Sequence, residues 1–167
     1  MSPEGPGTAI CPGSYDPVTN GHLDIISRAA SVFDRVIVGV VNNPVRKQGT
    51  LFSSEERRGF IEAATADLEN VEVQVFAELL VDFAHKNKAS AIVKGLRAIS
   101  DFEYEFEMAQ LNRLLAADLE SIYIISSPNY SFLSSTGVRE LASFGGDVSE
   151  LVPPAVAEAL AERNKQG

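Results

Sequence analysis

Two stretches of the chain, Ile37-Val38-Gly39-Val40-Val41 and Ile122-Tyr123-Ile124-Ile125, are apolar without alternation. That is the pattern of strands covered on both faces of a parallel sheet. Val71-Glu72-Val73-Gln74-Val75 alternates instead, as an edge or half-exposed strand does. With two shorter β-rich runs these give strands over residues 8–11, 35–41, 71–76, 91–93 and 121–125. Helical patterns fill the intervals 21–33, 53–67, 79–87 and 101–117, followed by a shorter pair after Ser135 and Pro154. Ser53 with Glu56 three positions on has the form of a capping box, and a proline start marks a C-terminal helix over 153–164. Alternating strands and helices predict an α/β fold: a doubly wound parallel sheet of about five strands with helices on both faces, binding ligands at the carboxyl ends of its strands.

Length and composition narrow the class. A chain of 167 residues with 45% hydrophobic side chains suits a single domain over 1–167. One cysteine, Cys11, excludes an internal disulfide framework, and with only two histidines a structural zinc site is not expected; the chain reads as cytoplasmic. Residues 1–7 hold Pro, Gly and an acid where a signal peptide needs basic and apolar regions, so they read as a short flexible lead. The longest apolar stretch is far below the ~18 residues of a membrane span. Fourteen basic against 23 acidic residues give a net charge of −9. That disfavours nucleic acid and anionic membrane as partners, because both need a positive field. An anionic ligand would have to meet a local basic cluster, drawn from Arg46, Lys47, Lys94, Arg97 and Arg139, all of which could equally be solvated surface charges.

Two segments suit phosphate. The first strand runs into Cys11-Pro12-Gly13-Ser14-Tyr15-Asp16-Pro17-Val18-Thr19-Asn20-Gly21-His22 and then into a helix. The first N–H groups of a helix lack internal partners, Gly13 and Gly21 permit close backbone approach, and Ser14 and His22 add donors. The segment is neither a Walker loop nor a Gly-x-Gly-x-x-Gly fingerprint. A plain Pro/Gly connection, with Asn20 as cap and His22 exposed, stays open. The second segment, Tyr130-Ser131-Phe132-Leu133-Ser134-Ser135-Thr136-Gly137-Val138-Arg139, carries hydroxyls into a helix with a guanidinium one turn in. An ordinary Ser/Thr cap with a solvated arginine fits it as well.

Thr19-Asn20-Gly21-His22 resembles the T/H-x-G-H motif of the nucleotidyltransferase superfamily, and Leu133-Ser134-Ser135-Thr136-Gly137-Val138-Arg139 resembles its I-S-S-T-x-x-R motif. A third segment, Lys94-Gly95-Leu96-Arg97-Ala98-Ile99-Ser100-Asp101-Phe102-Glu103-Tyr104-Glu105, followed by Asn112, is similar to the signature of the phosphopantetheine adenylyltransferases. The likeness spans about residues 8–153. It implies a Rossmann-like fold, a homohexamer, and transfer of AMP from ATP to 4′-phosphopantetheine, giving dephospho-coenzyme A and pyrophosphate. It also implies ATP contacts from Ser14, Tyr15, His22, Gly95, Leu96, Arg97, Glu105, Tyr130, Ser131, Phe132, Leu133, Ser134, Ser135, Thr136 and Arg139. Phosphopantetheine would be held by Ser14, Arg46, Leu80 and Lys94, with His22 and Arg46 as the catalytic residues. Family members generally carry lysine at the position of Arg46, and here Lys47 follows one residue later.

The chemistry so implied is physically consistent. A phosphate nucleophile is already anionic near neutral pH and needs no activated side chain. Positioning and stabilisation of the pyrophosphate leaving group remain, and His22 with the basic residues can supply them. Mg²⁺ would be bound through ATP oxygens and water. A nicotinamide-mononucleotide adenylyltransferase, a cytidylyltransferase and a non-catalytic nucleotide-binding module compete, the first two because they share the two superfamily motifs. Some residues are expected to have plain roles: His85 on the surface, Phe102 and Phe106 in the core, and Cys11 packed at the first strand's end, where nearness to the phosphate turn could make it open to alkylation.

Overall fold

In a computed structural model, which describes residues 6–44 and 49–167, five parallel strands form one sheet: β1 (Thr8–Gly13), β2 (Arg35–Val41), β3 (Val71–Phe76), β4 (Ala91–Leu96) and β5 (Glu120–Ile125), in the order β3-β2-β1-β4-β5. The helices are α1 (Asn20–Ala30), α2 (Ser54–Ala64), α3 (Leu80–Lys86), α4 (Ile99–Leu115), α5 (Ser135–Ser143) and α6 (Pro154–Gln166), with a short 3₁₀ turn at Pro128–Tyr130. This is the expected doubly wound, Rossmann-like arrangement. Residues 1–5 of the expected lead, and Arg46 and Lys47, lie outside the described residues. The described end of that lead is anchored: the Gly7 N–H donates to Asp34 Oδ2 at 3.1 Å and the Ser90 hydroxyl to Pro6 O at 2.9 Å.

The two faces of the sheet are covered unequally. Ala9, Cys11, Val36, Val38, Val40, Ala91 and Val93 project into the larger core, closed by α1, α2, α5 and α6. On the other face Ile10, Ile37 and Phe76 meet α3 and the residues just after α4. At Gly39, in the middle of β2, an added Cβ would lie 2.9 Å from Phe83 and 3.0 Å from Phe76, whose rings stack at 4.3 Å.

Two expectations fail for one reason. Phe102 and Phe106 are not core: they stack on each other and are 54% and 56% exposed. The apolar run of β5 is not covered on both faces either, since β5 is an edge strand with Ile122 and Ile125 exposed. Leu111, Leu114 and Leu115 extend this uncovered surface along α4. Apolar patterning reports that a residue avoids water, and it does not say whether its cover comes from the same chain. Val71–Phe76 is, as its alternation indicated, the opposite edge.

β1 lies at the centre and pairs unevenly. All six of its positions pair with β2, whereas only Ala9 and Ile10 pair with β4. Thr8 O accepts from the Ser90 N–H, which turns the peptide groups of Thr8, Ile10 and Pro12 toward β4. Pro12 has no N–H to give there. The two strands therefore part after Ile10, and a cleft opens between their carboxyl ends at the point where the strand order reverses.

Gly39→Ala is expected to lower stability by about 1–3 kcal/mol, because two stacked buried rings have no room for a methyl group. The midpoint of denaturant unfolding checks it, and an unchanged midpoint would show that the rings move aside freely.

Candidate functional site

β1 supplies Cys11, Pro12 and Gly13 to one wall of the cleft, and β4 supplies Val93, Lys94 and Gly95 to the other. The start of α1 closes the bottom. Its cap is Thr19, not Asn20: the His22 N–H donates to Thr19 Oγ1 at 3.3 Å and the Thr19 N–H donates to His22 Nδ1 at 3.0 Å. A histidine thus takes the place that Glu or Gln has in the usual capping box. Because Nδ1 accepts a backbone proton, the neutral ring carries its own proton on Nε2. The Tyr15 ring meets the imidazole edge to face at 5.0 Å, and the Tyr15 hydroxyl donates to Cys11 O at 2.9 Å. Burial pushes the Tyr15 phenol well above its ordinary pKa, so it remains a donor. Tyr15 adopts a positive φ of 49° to reach this position.

Basic residues approach from β4 and its exit. Lys94 Nζ lies 2.6 Å from Glu105 Oε1, and Glu105 Oε2 is buried without a hydrogen-bond partner among the described residues. Arg97 pairs with Asp101 at 3.1 Å and donates to Leu133 O, joining the start of α4 to the segment before α5. Behind them, Asp24 of α1 accepts from Ser127 at 2.8 Å and from Arg28 at 3.2 Å, and Arg28 also donates to Ile125 O. The carboxyl end of β5 is thereby tied to α1.

Of the residues expected in the site, Tyr15, His22, Lys94, Gly95, Arg97, Glu105, Tyr130 and Leu133 line the cleft together. Ser14, Leu80, Leu96, Ser131, Phe132, Ser134, Ser135, Thr136 and Arg139 are not part of its lining, and Arg46 lies outside the described residues. The hydroxyls have local tasks: Ser134 Oγ accepts from the Gly137 N–H as the cap of α5, and Ser135 donates to Pro17 O at 2.7 Å, holding α5 to the first turn. Leu80 packs at the edge of the smaller core. Arg139 turns to Asp16, donating to its carbonyl and lying 3.8 Å from its carboxylate, and Nη2 donates to Thr136 Oγ1 at 3.4 Å.

Cys11 lines the cleft but is not a reactive thiol. Burial pushes its pKa up to about 12, which leaves almost no thiolate near neutral pH. The expected openness to alkylation is therefore corrected. His85 is on the surface, paired with Asp118 at 3.0 Å.

Sequence reasoning missed two buried charges, Asp16 and Arg57, which are 2% and 1% exposed. Arg57 had a signal. Positions 57, 60, 61 and 64 form one helical stripe, and the other three are Phe60, Ile61 and Ala64. A charge on an apolar stripe is either snorkelling or buried with partners. Among the described residues no group of three or more His, Cys, Asp or Glu side chains is placed to hold a metal ion, and no helix is long and apolar enough to cross a membrane.

Comparison with known proteins agrees with the motifs. A family model described as Cytidylyltransferase-like matches residues 10–141. The chain is 58% identical over 152 residues to a phosphopantetheine adenylyltransferase of Rubrobacter xylanophilus, covering 91% of this chain and 92% of that one. It is 55% identical to one of Streptomyces coelicolor and 53% identical to one of Moorella thermoacetica, covering 93% of this chain and 96% of the relative in both cases. A solved structure from Vibrio parahaemolyticus, assigned as a nicotinate-nucleotide adenylyltransferase, shares the fold at a TM-score of 0.69 and 18% identity, over 95% of this chain and 93% of that one. A cleft opened by diverging parallel strands, a histidine in the helix cap beneath it and this degree of identity lead to one conclusion: the chain belongs to the phosphopantetheine adenylyltransferases, nucleotidyltransferase enzymes of coenzyme A biosynthesis.

Proposed function

We propose that the cleft between β1 and β4 is where ATP and 4′-phosphopantetheine meet and AMP is transferred, releasing pyrophosphate. The observation that carries this reading is the capping geometry of His22. Its Nδ1 accepts from the Thr19 N–H, which puts the proton of the neutral ring on Nε2, the atom that would donate to the leaving phosphates as charge moves onto them. The start of α1 adds its dipole to the same end. Gly95 brings the β4 backbone close to α1, where an added Cβ would stand 2.9 Å from Ile25.

Lys94 and Arg46 serve the phosphate of phosphopantetheine, and Arg97, Tyr130 and Arg139 the nucleotide. Arg46 takes the place of the usual lysine, its planar fork holding phosphate through two hydrogen bonds. Mg²⁺, bound through ATP oxygens and water, supplies charge neutralisation when present. The donor set fits such an ion: the cleft carboxylates Glu105 and Asp101 are paired with Lys94 and Arg97. The enzyme works in the cytoplasm as a homohexamer. Support for assembly comes from the uncovered apolar surface of α4 and β5, where seven large side chains, Phe102, Phe106, Leu111, Leu114, Leu115, Ile122 and Ile125, face outward. That is more than a lone domain of this size leaves to water without a partner.

Wild-type enzyme with ATP and Mg²⁺ is expected to release pyrophosphate with 4′-phosphopantetheine and not with nicotinamide mononucleotide. His22→Ala should lower kcat by ~10²-fold while KM for ATP changes far less. Near-normal kcat in that variant would remove His22 from the mechanism. For assembly, sedimentation equilibrium should return six chains, and a monomer at micromolar concentration would contradict the hexamer.

A further inference from the structure

Neither Asp16 nor Arg57 lines the cleft, yet together they bind main-chain groups of three segments and the side chain of Arg139. Both Asp16 oxygens accept main-chain protons from one place: Oδ2 from the Leu51 N–H at 2.8 Å and Oδ1 from the Phe52 N–H at 2.9 Å. The same residue receives Arg139, which donates to its carbonyl and sits 3.8 Å from Oδ2. Arg57 works on carbonyls. Nη1 donates to Ser14 O at 2.7 Å and Val41 O at 2.8 Å, Nη2 to Asn42 O at 2.9 Å, and Nε is shared between Phe52 O at 3.1 Å and Ser53 O at 3.3 Å. Burial lowers the pKa of Arg57, and the charge of Asp16 opposes that shift. Asn42 and Leu51–Phe52 are the two ends of one connection, the one that carries Arg46.

We propose that Asp16 and Arg57 are positioning residues that couple the two half-sites: Arg57 fixes both ends of the connection serving phosphopantetheine, and Asp16 ties its downstream end to Arg139 on the nucleotide side. A turn anchor would need only near neighbours in the chain. These bonds instead span 35 and 36 positions from the buried carboxylate to Leu51 and Phe52 and 123 from the same residue's carbonyl to Arg139, whose guanidinium also stands 3.8 Å from that carboxylate. Its charge cannot be left with part of its partners at that depth. A shift of Arg139 toward a nucleotide is therefore felt by the connection on the other side. Arg57 is a fork by necessity, since a lysine brings at most three donors on one atom.

The inference rests on the assignment of Arg46 to phosphopantetheine and Arg139 to ATP, and the test separates the two. Asp16→Asn keeps the shape but presents an NH₂ to one of two N–H donors. It is expected to raise KM for both substrates by about tenfold, the effect of losing a hydrogen bond to a charged group. Arg139→Ala should raise KM for ATP most and KM for phosphopantetheine by a smaller factor; a rise for ATP alone would show that the half-sites are not coupled, and an unchanged KM for ATP would remove Arg139 from the nucleotide side. In the double variant the ATP effects should fall well short of their product, as for residues acting through one contact. Fully multiplicative effects, or a loss of kcat at unchanged KM values, would reduce Asp16 to a structural anchor. Arg57→Lys gives a second reading should Asp16→Asn fold poorly. It retains the charge beside Asp16 and should raise KM for phosphopantetheine about tenfold, with KM for ATP within about twofold. Equal rises for both substrates would overturn the division of labour.

Discussion

Pro12 has no N–H, and it stands where the central strand would have to give one to β4. The ladder between β1 and β4 consequently ends at Ile10, while the ladder between β1 and β2 runs to Gly13. A sheet that stayed closed here would have no interior cleft, and α1 would pack over an unbroken surface. The divergence exposes backbone edges of both strands beside a helix N-terminus, which is where phosphate is held most readily. Later features read as adjustments to that opening. Thr19 and His22 cap the helix beneath it, Tyr15 bends through positive φ to buttress the ring, and Lys94 leaves β4 at the point where its neighbour strand has gone.

An open cleft at the centre of a domain also makes its rim difficult to stabilise with apolar contacts. The molecule holds the rim with charge. Arg57 collects five carbonyls and Asp16 two amides, from Ser14, Val41–Asn42 and the segment Leu51–Ser53. Buried ions carry a heavy desolvation cost, and they persist when every lone pair and proton is matched. Rigidity is what such a network provides. A reaction without an activated nucleophile depends on where its two phosphates are placed, which is why rigidity of these segments bears on the proposed chemistry.

Much of this was legible in the sequence. Strand positions followed from unbroken and alternating apolar runs, the cap of α2 from Ser53 and Glu56, and a cleft-lining turn into α1 from its glycines and histidine. What stayed hidden has physical causes. The pattern around Phe102, Phe106 and Ile122–Ile125 records avoidance of water and carries no information about which chain supplies the cover. Ser134 and Ser135 have the composition of a phosphate site and of a helix cap alike; in the structure the first caps α5 and the second reaches Pro17 O, a partner remote in the chain. Asp16 precedes a proline in a turn-rich segment, a setting that does not mark a carboxylate as buried. Its partners at Leu51, Phe52 and Arg139 are remote in the chain, and no local pattern encodes them.

The opening beside Pro12 is the proposed seat of the nucleotide. A crystal structure of the enzyme with ATP and Mg²⁺, without the second substrate, tests it most directly. The triphosphate is expected against the N-terminus of α1 between β1 and β4, with a phosphate oxygen ~3 Å from His22 Nε2. A nucleotide seated elsewhere, along the exposed edge of β3 or over the apolar face of α4, would contradict it.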